Sequence, residues 1–174
     1  SGGTDAIRYY VAGDWEDELG QVKMPEVFQQ RVLATRNITS VPYSQLRPNA
    51  LRKTNLRANV SANLGEKADV QVNSGLVSST QRLPQTDNNI TGLLGNALGG
   101  PGFKGNIVGG VANLGYRQFT PNETFADVTT QDINRTITSG RFNYRPTHWL
   151  AVRAVGGLDF ISREDTQLCR REEC

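Results

Sequence analysis

Between Asn55 and Ser79 the chain alternates apolar and polar residues almost without exception. Leu56, Ala58, Val60, Ala62 and Leu64 are apolar, and the interleaved Asn55, Arg57, Asn59, Ser61 and Asn63 are polar. A strand turns successive side chains to opposite faces, so this period predicts a strand with one greasy and one wet face. After Gly65-Glu66-Lys67 the alternation resumes, with Ala68, Val70, Val72, Ser74 and Leu76 set against Asp69, Gln71, Asn73 and Gly75. Two such runs around a short turn predict a β-hairpin with arms near 54–64 and 68–79. The arms are long. Globular strands average about 5–6 residues, whereas strands that cross a bilayer need about 9–11.

Three more strands are expected. Ile7, Tyr9, Val11 and Trp15 alternate with Arg8, Tyr10, Ala12 and Asp14, which predicts a strand near 6–16. Asn134 to Tyr144 is rich in Thr, Ile and aromatics, which predicts one near 133–145. Arg145-Pro146-Thr147 is expected to turn the chain, because proline cannot donate to a ladder. Leu150, Val152, Ala154, Gly156, Leu158 and Phe160 then alternate with Arg153, Gly157 and Asp159 in a strand near 148–162. The strand at 133–145 is the least regular: Ile133 and Ile137 share a face with Arg135 and Arg141, and Phe142 and Tyr144 sit on the other. A bulge or a shifted register would account for this, and its lipid and lumen faces are left unassigned.

The connections between these strands differ in length. Gly65–Lys67 and Arg145–Thr147 are minimal, whereas 17–50 and 81–131 are long, polar and rich in Gly, Pro and Asn, with a short helix expected at Leu93–Leu98. Alternating short and long connections put every short turn at one end of the strands. Outer-membrane barrels carry this asymmetry.

Composition excludes other classes. Apolar residues make up 37% and the net charge is only +2, so the chain lacks both the usual core content and the high charge of a disordered chain. Basic residues are scattered, without the stripe and aromatic platforms of a nucleic-acid binder. No run of apolar residues is long enough for a transmembrane helix, which leaves a barrel open. The chain opens Ser1-Gly2-Gly3-Thr4, so a removed leader or an excerpt of a longer protein is expected.

The candidate chemical motifs are weak. Gly100, Gly102 and Gly105 spell a dinucleotide-like pattern but lack the preceding strand and following helix that the site requires. His148 is the one histidine and has no nucleophile or carboxylate constellation around it. Asp14, Glu16, Asp17 and Glu18 lack the spacing of a calcium loop and suit a solvated loop entrance. No catalytic, cofactor or metal site is assigned, and no enzyme is expected. Cys169 and Cys174 are candidates for a disulfide in an oxidising compartment, the alternative being two free thiols.

Several stretches, in order along the chain, resemble one family. They are Ser1–Trp15 followed by Glu18-Leu19-Gly20, Thr54–Val60 with its Asn-Leu-Arg-x-Asn core, Asp87-Asn88-Asn89 with Leu93–Leu98, and Asn143-Tyr144-Arg145-Pro146 with Trp149-Leu150. Together they are similar to SusC/RagA-like TonB-linked outer-membrane transporters. The resemblance implies a large β-barrel in the bacterial outer membrane, filled by a plug domain and energised through TonB. It further implies a SusD-like surface lipoprotein as partner and the import of glycans or peptides. This chain shows no plug and no TonB box, so an interior barrel segment is expected, with TonB engaged through a region outside it. The family brings no catalytic residues.

The fold expected is therefore all-β: about five antiparallel up-and-down strands of a partial transmembrane barrel with long external loops. Lipid would meet Leu56, Val60, Leu64, Val70, Val72, Leu150, Val152 and Leu158. The lumen would receive Arg57, Asn59, Asn63, Asp69, Gln71, Asn73, Arg153 and Asp159. A secreted β-rich adhesin is the competing reading, and it requires the apolar face to be covered by a second layer. Charge on the lipid face gives a direct check. Val60→Arg or Val152→Arg should cost about 2–4 kcal/mol near the midplane and reduce the amount of full-length protein assembled in membranes; unchanged assembly of Val60→Arg would overturn the facing.

Overall fold

A computed structural model describes residues 1–88, 90–103, 105, 107–108, 111–112 and 114–169. The chain is mostly β. In chain order its elements are β1 (Gly2–Gly3), β2 (Ile7–Leu19), α1 (Glu26–Arg36), α2 (Tyr43–Leu46), β3 (Ala50–Asn63), β4 (Ala68–Leu83), α3 (Leu93–Leu98), β5 (Ile107–Val108), β6 (Val111–Ala112), α4 (Pro121–Thr124), β7 (Val128–Thr147) and β8 (Leu150–Leu168). Six strands form one antiparallel up-and-down sheet in the order β1-β2-β3-β4-β7-β8, and the sheet does not close. β5 and β6 pair separately as a two-stranded ribbon. The sequence reading anticipated five of the six sheet strands; β1, only two residues long, pairs Gly2 with Tyr9 and Gly3 with Arg8.

By its internal contacts the chain divides into two compact units. The first comprises Ser1–Asp17, Arg52–Thr80 and Asp132–Glu164. It is sheet, and every residue in it is exposed or of intermediate exposure; none is buried. Cross-strand side-chain bonds fix its registers. Between β4 and β7 the partners are Asp69 and Asn143, Asn73 and Ser139, Ser74 and Thr138, Ser78 and Asn134, and Thr80 and Asp132. Each step up β4 is matched by an equal step back along β7, so the ladder holds one register without a bulge over this length. Asp14 with Asn55 and Asp17 with Arg52 do the same for β2 and β3. The Leu64 amide donates to the Ala68 carbonyl at 2.8 Å to close the β3–β4 turn, where Gly65 takes φ +82, a conformation other residues avoid.

One expected turn is displaced. β7 continues through Arg145-Pro146-Thr147, and the chain reverses at His148-Trp149 instead. Pro146 is accommodated because its fixed φ suits extended backbone and it lies at the strand end, where few ladder bonds remain to be lost. Both short turns, at 65–67 and at 148–149, thus join strand ends on the same side of the sheet.

The second unit comprises Glu18–Leu51, Gln81–Gln131 and the residues from Asp165 onward. Here the long connections carry folded structure of their own. The expected helix at Leu93–Leu98 is present as α3, and α1, α2 and α4 accompany it. Glu26 in the first turn and Arg36 in the last complement the α1 dipole, and Asn37 ends the helix at φ 51. α4 starts with a capping box, Thr120 and Glu123 satisfying each other's backbone amides, and with Pro121 in its first turn. The core is Met24, Phe28, Val32, Val41 and Phe125. Phe28 meets Tyr116 edge to face at 5.6 Å, and burial raises the Tyr116 phenol above its ordinary pKa.

Asn96 is fully buried and makes four side-chain bonds. Its Nδ2 donates to the carbonyls of Ile90 and Gly92, and its Oδ1 accepts from the amides of Gln118 and Phe119. A fully satisfied buried amide of this kind fixes one arrangement of the segments it ties. Truncating the core should be felt strongly here: Phe125 is 1% exposed, and Phe125→Ala is expected to destabilise this unit by about 3–5 kcal/mol, read as lost hydrogen-exchange protection across α1.

A two-faced sheet as the candidate functional site

Directly opposed residues in an antiparallel ladder share a face, so the registers sort the whole first unit. Leu56, Val60 and Leu64 on β3 fall with Val70, Val72 and Leu76 on β4. A side chain at Gly13 would touch the Leu56 methyl, which brings Ile7, Tyr9, Val11 and Trp15 of β2 to that same face. The Ser74–Thr138 bond places Thr138 there as well, and with it Phe142 and Tyr144, whose rings stack at 6.3 Å. On β8 the set is Leu150, Val152, Leu158 and Phe160. The irregular strand 133–145 therefore needs no bulge: Phe142 and Tyr144 join the apolar face, and Ile133 and Ile137 lie among the polar residues.

The apolar face is open. Leu56 is 48% exposed, Val60 43%, Val152 47% and Leu158 78%, while Val70 is of intermediate exposure. It also has a defined height. On β4 the alternate positions are small or apolar from Ala68 to Leu76 and become Ser78 and Thr80 above; on β7 they run from Tyr144 to Thr136 and become Asn134 and Asp132. At about 3.3 Å per residue, such a stretch in tilted strands reaches about 20–30 Å. Trp15 marks one end of this band and Trp149, 73% exposed, the other.

The eight residues expected to line a lumen fall by alternation on the opposite face, and five of them make side-chain bonds in three separate groups. Asn143 Nδ2 donates to Asp69 Oδ1 at 2.9 Å, and Asn143 Oδ1 accepts from Arg153 Nε at 3.0 Å. One amide thus joins β4, β7 and β8. Gln71 donates to Asn73, and Asn73 to Ser139, both at 3.4 Å. Arg135 forms a forked pair with Asp159. Asn63 is tied apart from these groups, donating to the Asp5 carbonyl. Arg57 and Asn59 reach this face by alternation, and Asn59 lines a shallow cleft of 150 Å³ with Arg8, Tyr10 and Gln71.

Asn143, Ser139, Arg135, Arg8 and Tyr10 had no assigned role in the sequence reading. Their face is set by pairing with assigned residues on β3 and β4, which no local pattern on β2 or β7 marks.

The acidic residues Asp14, Glu16, Asp17 and Glu18 lie mostly exposed in the last part of β2, where the chain enters the long connection after Leu19. Asp14 accepts from Asn55 at 2.6 Å, and Glu16 and Asp17 pair with Lys53 and Arg52 at 3.8 and 3.4 Å. These are exposed pairs of small energetic worth. No cluster of metal-ligating residues occurs among the described residues. Gly100, Gly102 and Gly105 follow the helix α3, not a strand, as a dinucleotide loop would require. Cys169 is disulfide-bonded; Cys174 lies outside the described residues, as does Asn89. No helix is long and apolar enough to cross a membrane.

Comparison with protein families, with curated proteins and with solved structures finds no match to this chain. The arrangement itself can do two things. It can present a tall apolar surface to an apolar solvent, and it can line an aqueous path with fixed amides and paired charges. Asn143→Ala removes both bonds of the Asp69–Asn143–Arg153 chain and should lower unfolding stability by about 1 kcal/mol, measured by denaturant titration in detergent.

Proposed function

We propose that this chain is part of the β-barrel of a TonB-dependent transporter in the bacterial outer membrane. The observation that carries the membrane part of this reading is the open apolar band. It crosses β2, β3, β4, β7 and β8, with tryptophan at its ends and separate groups of bonded polar side chains behind it. A contiguous exposed apolar surface of this extent needs an apolar partner, and a band of bilayer height flanked by aromatic residues matches acyl chains. Strands of 13, 14, 16, 20 and 19 residues exceed what the band requires, as they do in barrels whose strands continue beyond the membrane.

The transport part rests on the resemblance of the sequence stretches to SusC/RagA-like proteins. In that reading the polar face borders the lumen and hydrates the path of a glycan- or peptide-like nutrient. In that reading a SusD-like lipoprotein would dock on the long connections, which carry the helices of the second unit. TonB would act through a plug region outside this chain. The adhesin alternative requires Leu56, Val60 and Val152 to be covered, and their exposure argues against it.

The two tryptophans of the chain allow a direct test. In vesicles carrying brominated or spin-labelled acyl chains, both Trp15 and Trp149 should be quenched best by labels near the headgroups and least by labels at the bilayer centre. Emission unaffected by any lipid label would rule out the membrane reading.

A further inference from the structure

Charge is divided unevenly along the polar face of the sheet. Far from the short turns, charged side chains on this face meet opposite charges: Arg135 pairs with Asp159, and Lys53 with Glu16. Near the turns they do not. The Arg145 amide donates to the Lys67 carbonyl at 2.7 Å, so these two cations are direct cross-strand neighbours on the polar face, and like charges so placed repel each other. The bonds of Asn143 to Asp69 and Arg153 put Arg153 on the same face, and alternation along β7 adds Arg141. The Asn63 amide donates to the Ala6 carbonyl at 2.7 Å, a register that brings Arg8 to this face beside Ser61, with Arg57 farther along β3. All of these cations are exposed, and among the described residues none of them forms an ion pair. The acid among them is Asp69, which is held by Asn143.

We propose that the turn-end half of the polar face binds an acidic peptide in extended form, as cargo passing along the lumen. The proposal rests on the transport reading and narrows its nutrient to peptides rich in Asp or Glu. Fixed cations along a path raise the local concentration of anions and exclude other cations. Guanidinium groups match carboxylates in geometry as well as charge. Spacing favours a peptide. With about 3.3 Å per residue and about 4.8 Å between strands, Arg141, Arg153 and Arg145 form a zigzag with steps of about 8 Å. Alternate side chains of an extended peptide lie about 7 Å apart, within reach of three such flexible arms. A bound row of carboxylates would also relieve the repulsion between Lys67 and Arg145.

The experiment has a binding arm and an uptake arm. In the first, labelled hexaglutamate and hexaglutamine are titrated onto the chain in zwitterionic detergent. Hexaglutamate should bind about tenfold more tightly. Arg141→Gln with Arg145→Gln should remove most of that difference, as should Arg8→Gln with Arg57→Gln on the other strands, whereas Arg141→Lys with Arg145→Lys should keep it. Lys23→Gln with Arg31→Gln, exposed cations of the second unit, should leave binding unchanged; an equal loss there would mean general charge attraction and overturn the local site. Tighter binding of hexagalacturonate than of hexaglutamate would reassign the face to acidic glycans and overturn the peptide. In the second arm, cells carrying the full-length protein should take up hexaglutamate about fivefold faster than hexaglutamine, and Arg141→Gln with Arg145→Gln should abolish the difference. A difference untouched by these substitutions, or entry of neither peptide, overturns the role in cargo passage. Equal binding of hexaglutamate and hexaglutamine overturns the proposal while the membrane reading stands on lipid quenching of Trp15 and Trp149. No such quenching overturns both.

Discussion

Register holds this sheet's two faces apart. The side-chain period of a strand is two, so a slip of one residue between β4 and β7 would carry Phe142 and Tyr144 to the polar side and Arg141 and Asn143 to the apolar side. The bonds that oppose such a slip are small and numerous. Asn73–Ser139, Ser74–Thr138, Ser78–Asn134 and Thr80–Asp132 each favour a single alignment, and cross-strand pairs of this type contribute about 0.2–1 kcal/mol apiece. Most lie on or just above the level of the band, so short polar side chains set the register and the apolar ones exploit it.

The two units are stabilised by different means. The second buries Met24, Phe28, Val32 and Phe125 and satisfies its buried Asn96 completely. It follows the ordinary logic of a water-soluble core. The first has no buried side chain. Its apolar residues are covered only in part, so burial in water stabilises them less than it does a closed core. Their contribution depends on what is placed against them: a face left open to water gains less than one met by an apolar partner.

Much of the first unit was legible because its signal is local. Asn55 to Ser79 states its own period, and Ile7 to Trp15 and Leu150 to Phe160 repeat it. The strand at 133–145 was harder, since Ile133, Ile137, Phe142 and Tyr144 put large apolar groups on both parities. Only pairing with β4 through Asn143 and Thr138 decides which set faces which way, and a pairing partner more than sixty residues away leaves no mark on local sequence. The displaced turn has a similar origin: Pro146 reads as a breaker by itself but is harmless at a strand end. In the second unit, Met24, Phe28 and Val32 recur at helical spacing, a pattern that the surrounding polar residues obscured. The role of Asn96 could not be read at all, because its partners Gln118 and Phe119 come from a separate turn of chain.

The outer strands carry a consequence for assembly. β1 covers β2 only at Arg8 and Tyr9, and β8 is exposed along its whole length. In water, the unpaired amides and carbonyls along these margins are hydrated at little cost. In hydrocarbon each would cost several kcal/mol, and the cost would rise with every residue carried into the bilayer. A membrane therefore penalises the open ribbon in proportion to its depth of entry. In the membrane reading proposed above, insertion and closure are therefore coupled: the lipid that rewards the apolar face also favours pairing of the two margins.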